Sequence, residues 1–409
     1  MIIIGGFCVI IALVLVLKSQ LALRQNSLSL TARSKPERIA ILIPARDESR
    51  VIRGLLESLN AQSLPVRMQD VYVIVEKPDD STVEIGRSFD CRVVVRDDLR
   101  GRERKGYALD DAVQEIRRRG EQYDLYFVFD ADNVLATDYL EQMLKVYKQG
   151  YRMATAYRNT KNGNANVIAA VSSLTFSMIN VVGNRRRIKY GANVVFSGTG
   201  CFVDGDLVEN WQGWPFHSLT EDYEMSLYAT LKGIPTYYNE QAAFFDEQPL
   251  RFGQTVDQRT RWIRGYFDAR KEYIPQIRQK LRRLKHRPAE LEKCQNLGSL
   301  KRELVGVNAL IWLLVGVVCL IIGGVGWLIY LGEGWMILWL VVDVLVLVYC
   351  VLAVVTIMML RREKLDMCIS MKVRAVLFNP IFLVTYIWCA LVAILARKKV
   401  TWKKIQHGE

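Results

Sequence analysis

The sequence predicts an α/β domain built on a mostly parallel central sheet, with membrane-crossing helices attached at both ends. Three observations predict it. Apolar residues make up 51% of the chain, but they concentrate in runs without charge at residues 2–17, 304–332 and 375–396, and in 335–360, where Asp343 is the one charge. Between these runs, short β-branched segments alternate with stretches of helical period, the pattern of a parallel sheet with helices on both faces. Acidic residues then gather directly after the strand-like segments.

Taken in order, residues 1–23 read as an N-terminal anchor. A bilayer core needs about 20 apolar residues, which this segment reaches if Lys18 snorkels and the span continues to Leu23. It lacks a basic leading region, and LKSQLALRQ offers no small-x-small cleavage site, so an uncleaved anchor is expected over a signal peptide. The net charge of +13 arises largely beside the apolar runs, at Arg24, Arg33, Lys35 and Arg38, then in 278–287, at Arg361 and Arg362, and in 397–404. Juxtamembrane basic clusters follow the positive-inside rule and bind anionic lipid. They point to membrane lipids as partners rather than nucleic acid, and to a cytoplasmic central domain. Eight cysteines without a CxxC pair imply neither disulfides nor structural zinc, and three histidines leave the chemistry to carboxylates.

The central domain, 36–270, opens with IAILIPA, a buried-strand pattern closed by Pro44, followed by the helical ESRVIRGLLESLNAQ. Next come DVYVIVEKP (strand), a short helix, CRVVVRD (strand), a helix over 107–118, and DLYFVFDAD (strand). Parallel sheets bind ligands at the carboxyl ends of their strands. Asp47 and Glu48 follow the first strand, Glu76, Asp79 and Asp80 the second, and Asp130 and Asp132 the fourth. One polar cleft is therefore expected.

Three motifs carry chemistry. Asp130 and Asp132 sit at i and i+2 of a strand and so share a face. Two hard oxygen donors beside a diphosphate suit Mg²⁺ or Mn²⁺, whose charge helps a nucleotide leave; alone, the pair also reads as solvated strand-end acids. Thr220-Glu221-Asp222 opens a helix, where a Thr cap and acids in the first turn are equally expected for stability. Gln258-Arg259-Thr260-Arg261-Trp262 lies in a basic helix, in which Trp262 also reads as core packing.

In this order and spacing the three motifs resemble the membrane-embedded family 2 glycosyltransferases, the group of cellulose, chitin, hyaluronan and poly-N-acetylglucosamine synthases. The resemblance covers roughly residues 39–265 and includes PARDE, RKGYAL, SGTG and FDEQP between the motifs. It implies a GT-A-like nucleotide-sugar-binding domain and an inverting transfer from a nucleotide-diphosphate sugar such as UDP-GlcNAc or UDP-Glc. Asp222, with Glu221 beside it, is implied as the general base. Asp47 or Glu48 and one acid from Glu76 to Asp80, with Glu76 and Asp79 as rivals, would hold the nucleoside. Lys105 and Arg261 would meet the phosphates, Asp130 the nucleotide and metal, and Asp132 the metal. Trp262 would stack on the acceptor sugar, with Gln258 beside it. Inversion asks for a base on the acceptor side and electrostatic help for the leaving group opposite, as these roles supply.

Beyond the domain, 271–303 mixes basic and apolar residues at helical spacing and reads as interfacial helix or linker. The C-terminal membrane domain, 304–396, comprises a hairpin through GEG and a last segment bent by Asn379 and Pro380. Three full spans would carry the basic tail 397–409 outside, against the charge rule, so a kinked, re-entrant or interfacial last segment is expected. Asp343 is expected in a polar seam of the bundle. Three functions compete: extension of an oligo- or polysaccharide, transfer of one sugar to a lipid or lipid-linked acceptor, and nucleotide-sugar sensing without catalysis.

Overall fold

The structure, a computed structural model, describes residues 2–97, 102–332 and 334–395; the basic tail 397–409 lies outside the described residues. Helix α1 (Ile2–Leu23) leads into β1 (Ile39–Pro44), α2 (Ile52–Asn60), β2 (Val71–Val75), α3 (Thr82–Ser88), β3 (Arg92–Val95), α4 (Lys105–Arg118) and β4 (Leu125–Val128). There follow β5 (Val134–Leu135), α5 (Tyr139–Lys148), β6 (Met153–Thr160), α6 (Val167–Met178), a π-helical turn Ile179–Arg185, α7 (Arg186–Ile188), β7 (Cys201–Asp204), α8 (Gly205–Trp211), α9 (Glu221–Lys232) and β8 (Thr236–Asp246). The chain ends in α10 (Phe252–Lys285), α11 (Pro288–Glu292), α12 (Leu297–Tyr330), α13 (Gly334–Arg362) and α14 (Ile369–Leu395).

The sheet runs β3-β2-β1-β4-β7-β6-β8-β5. The β1–β2, β1–β4, β2–β3 and β6–β8 pairs are parallel, while β7 is antiparallel to β4 and β6, and β5 to β8. Alternation along β1 explains both cores. Ile41 and Ile43 pack on one side with Leu55 of α2 and Met143 of α5, whereas Ala40 and Leu42 pack on the other with Leu109 of α4 and Met225 of α9. A strand buried on both faces reads as a continuous apolar run, which is how IAILIP is recognisable. The carboxyl ends of β1, β2 and β4 open on one side, where the sheet changes direction between its parallel half and β7.

Among the described residues four helices are long and apolar enough to cross a membrane: Ile3–Leu23, Val167–Ile188, Trp339–Arg362 and Ile369–Leu395. A shorter apolar stretch, Cys319–Tyr330, closes α12, which packs along α1. The Val167–Ile188 helix was not anticipated; it lies inside the predicted soluble domain. Its Ala170, Val171 and Leu174 pack against Met371, Ala375 and Phe382 of α14, so the sheet domain and a candidate membrane-crossing helix share a core. Helix α10 runs unbroken through residue 270, and its Tyr273, Ile277 and Leu284 are buried against Leu227 of α9 and Leu300 of α12.

Among the alternatives for the last segment, the re-entrant one is not seen, because residues 369–395 form a single helix with Pro380 inside it. A second expectation, a polar seam at Asp343, is corrected. Asp343 faces outward on α13, flanked by exposed Val342, Leu345 and Val346. The buried polar pair of this bundle lies elsewhere, where Asn379 Nδ2 donates to Thr356 Oγ1 over 2.9 Å. Of the expected GEG turn, residue 333 lies outside the described residues.

Candidate active site

The site is assembled on the loop after β4. Asp130 N donates to Thr199 Oγ1 over 2.8 Å, and Gly200 N donates to Val128 O over 3.0 Å, so the Ser197–Gly200 segment is laced to the strand end. Gly198 and Gly200 have φ of 87° and 60°, the left-handed region that favours glycine. A Cβ on Gly200 would also stand 2.2 Å from the Phe244 ring. Lys105, the first residue of α4, is ion-paired with Asp130 and donates to Gly198 O over 2.8 Å. A Cβ on Gly198 would lie 3.5 Å from Asp222 Oδ2. One glycine-rich turn therefore brings Lys105 next to the acids of α9.

At the start of α9, Thr220 does not act as the side-chain cap that its position suggests: its Oγ1 is buried without a hydrogen-bond partner. The reason is α10, which crosses so closely that a Cβ on Gly265 would meet Thr220 Oγ1 at 2.6 Å. This crossing carries Arg261 to the site, where its Nη1 donates to Leu219 O over 3.3 Å. Glu221 is buried and Asp222 half-buried. Burial, reinforced by the neighbouring Asp222, pushes the Glu221 carboxyl up to about 7. Burial also raises Asp222, against the backbone N–H of Tyr223, which donates to its Oδ1 over 2.8 Å, and against Lys105 and Arg261. For Lys105, burial acts downward, but Asp130 and Glu221 outweigh it and leave the ammonium above its ordinary pKa. Arg261 is lowered by burial, although Glu221, Asp222 and Asp130 oppose this.

These groups line a single cavity of about 930 Å³, which also receives Glu48, Glu76, Asp130, Asp132, Gln258 and Trp262. Two expected donor residues stand apart from it. Asp47 and Asp79 are exposed and do not line the cavity. Their neighbour Asp80 is buried instead, accepting from Asp47 N and Thr82 N over 2.8 Å each. It shapes the loop, a role signalled by an acid two residues before the first residue of a helix. Glu76 reaches the cavity paired with Arg46 and, over 3.5 Å, Arg96. Arg158 was not anticipated from the sequence. It is ion-paired with Asp246, donates to Ser197 O over 2.6 Å, and holds its Cζ 3.5 Å from the centroid of Phe176. Trp262 is half-buried with its ring edge-to-face on Phe176, centroids 5.5 Å apart at 74°. Arg259 is a clamp rather than a ligand, since it is 2% exposed and donates to Thr385 Oγ1 of α14 over 2.7 Å.

Asp130 and Asp132 fit a divalent cation as a two-carboxylate site. Among the described residues no three His, Cys, Asp or Glu side chains cluster as a complete metal cage. Mg²⁺ bound with a nucleotide usually takes one or two carboxylates and completes its shell with phosphate and water. Asp132 is oriented by Asn133 Nδ2 at 3.0 Å and by Glu247 N at 3.4 Å, the kind of support that fixes a metal ligand.

A probable glycosyltransferase, YdaM, of Bacillus subtilis (strain 168) is 24% identical over 240 residues, covering 56% of this chain and 55% of that protein. A beta-monoglucosyldiacylglycerol synthase of Trichormus variabilis is 21% identical over 239 residues, covering 58% and 50%. The chain thus spans about half the length of these curated relatives. Among solved structures, the mannosyltransferase PcManGT from Pyrobaculum calidifontis, in complex with GDP-Man and Mn²⁺, superposes with a TM-score of 0.54 at 14% identity, covering 96% of this chain and 100% of that one. The shared fold is of the GT-A type. Residues 36–265, which hold every group lining the sheet end of the cavity, match the family described as Glycosyltransferase like family 2, and the chain belongs to that family.

Proposed function

We propose that the protein is an inverting glycosyltransferase that moves a sugar from a nucleoside-diphosphate donor to a hydroxyl acceptor held at the membrane. The supporting observation is the shared cavity, in which the carboxylates of Glu221 and Asp222 lie beside a cationic group made of Lys105 and Arg261. In this reading Asp222 takes the acceptor proton as the acceptor oxygen bonds to the anomeric carbon. The bond from that carbon to the diphosphate oxygen breaks, and the electron pair leaves on the nucleoside diphosphate. Lys105 and Arg261 stabilise that charge from fixed positions, which costs no reorganisation during the reaction. In the same reading Glu48 and Glu76, which line the cavity, would hold the nucleoside. A divalent cation held by Asp130 and Asp132, Mg²⁺ or Mn²⁺, would neutralise the diphosphate when bound. Incubating the purified protein with UDP-glucose, UDP-GlcNAc and GDP-mannose, and measuring nucleotide release, tests the reading. Release from none of them refutes it.

Two acceptor classes fit this chemistry. A growing saccharide would use the face of Trp262, which suits a pyranose ring. A lipid acceptor is favoured by the aliphatic wall that α14 contributes to the same cavity. In either case Trp262→Ala should lower transfer by on the order of 10²-fold through misplacement of the attacking hydroxyl, with donor affinity unchanged. Titration calorimetry with the nucleotide and a melting curve check this: an unfolded variant returns Trp262 to core packing against Phe176.

The basic residues after α1 support a cytoplasmic catalytic domain. In a cysteine-free background, Arg118→Cys on the exposed end of α4 should resist an impermeant maleimide in intact cells and react after permeabilisation. Labelling of intact cells reverses the orientation.

A further inference from the structure

Resting on the transferase reading, we infer that the acceptor is a neutral membrane lipid bearing a free hydroxyl, whose alkyl chain lies between α6, α10 and α14. The cavity has two ends of opposite character. Asp130, Asp132, Glu221 and Asp222 line one end, and Phe176, Ile179, Ile263, Ile387, Leu391 and Ile394 line the other. On α14, Tyr386, Ala390 and Ile394 recur at every fourth residue with Ile387 and Leu391 beside them, so one face of the helix forms the wall.

This wall presents no hydrogen-bonding group beyond Tyr386, whose hydroxyl is already 3.2 Å from Thr175 Oγ1. A saccharide seated there would leave its hydroxyls unpaired, whereas each methylene of an alkyl chain strengthens binding by about fourfold. The occupant is further indicated by where the slot opens. Ile387, Leu391 and Ile394 line the cavity and are also 57%, 48% and 59% exposed, and α14 is long and apolar enough to cross a membrane. The slot therefore opens sideways from a membrane helix, and a lipid can enter it without leaving the bilayer. The head group follows from charge. The hydroxyl must approach Asp222 beside Glu221, and of the cations nearest them Lys105 is paired with Asp130 and Arg158 with Asp246, which leaves Arg261 for the departing diphosphate and none of these three for a phosphate on the acceptor. In the reaction, the lipid oxygen forms the new bond to the anomeric carbon and its proton passes to Asp222. The sugar's bond to the nucleoside diphosphate breaks, with the electron pair leaving on the diphosphate.

The test uses the full-length protein in phosphatidylcholine vesicles with a nucleotide sugar that it cleaves. The offered acceptors are 1,2-diacylglycerol, a polyprenyl phosphate or a soluble oligosaccharide, with products read by mass spectrometry. Glycosylated diacylglycerol is the expected product. Ala390→Trp, which fills the slot, should reduce that product at least tenfold with nucleotide affinity within about twofold of the parent. Trp388→Ala, on the exposed opposite face of α14, should leave it unchanged. If Ala390→Trp does not fold, Leu391→Ala takes its place and should shift the preferred chain length upward. Elongation of the soluble oligosaccharide alone, transfer to the polyprenyl phosphate alone, or nucleotide release with no lipid product each overturns the inference while the transferase reading stands. Failure to bind or cleave any nucleotide sugar removes both.

Discussion

Replacing Asp222 by Asn lowers turnover by on the order of 10² or more, the loss expected when a positioned base is removed. Nucleotide affinity stays near that of the parent, because the cations and acids lining the donor end are untouched. The half-buried carboxyl of Asp222 reaches into the cavity next to Lys105 and Arg261, so an amide of the same shape preserves packing and removes only the proton acceptor. Single-turnover transfer and calorimetry on one preparation check both halves. Full activity in Asp222→Asn would return the motif to a helix terminus. The parent's rate should also carry an acid limb. The Glu221–Asp222 pair is raised by burial, with Glu221 at about 7, so the basic form is lost as pH falls through that region. For stability the sign is opposite. A carboxyl whose folded pKa exceeds its unfolded value contributes stability below the unfolded value, and that contribution is lost as pH rises through the folded one. Glu221→Gln should therefore raise the melting temperature at pH 8 and leave it unchanged at pH 4.

Asp132→Ala should abolish transfer, and EDTA should do the same to the parent, with activity restored by Mn²⁺ or Mg²⁺. The expectation rests on the two carboxylates at the end of β4 and on the hydrogen bonds that orient Asp132 from Asn133 and Glu247. A readout independent of turnover is Mn²⁺ binding in the presence of UDP, which should weaken at least tenfold in the variant. Undiminished turnover in EDTA, or unchanged Mn²⁺ binding, would remove Asp130 and Asp132 from the metal role.

Most of the parallel half of the sheet was legible in the sequence because β1, β2 and β4 are buried on both faces and read as unbroken apolar runs. The acids following them were legible for the same reason, since the carboxyl ends of such strands face a common cleft. Asp130, Asp132, Glu221, Asp222, Arg261 and Trp262 were singled out by the order of three motifs along the chain and by the family resemblance that this order carries, and all of them line one cavity. Tertiary structure decided what depends on a partner distant in the chain. Asp79 and Asp80 are adjacent and chemically alike, and only the packing of the loop against Asp47 N and Thr82 N selects Asp80 for burial. Thr220 has the sequence of a cap, yet Gly265 brings α10 so close that its hydroxyl makes no hydrogen bond. The apolar helix α6 was not anticipated, because whether such a helix joins a soluble core or a membrane layer depends on what packs against it, and α14 does so here. The apolar wall of the cavity was hidden for the same reason. Residues 386–394 read simply as part of a span, and only the crossing of α14 beside α6 and α10 turns one of its faces into a wall of the catalytic cavity.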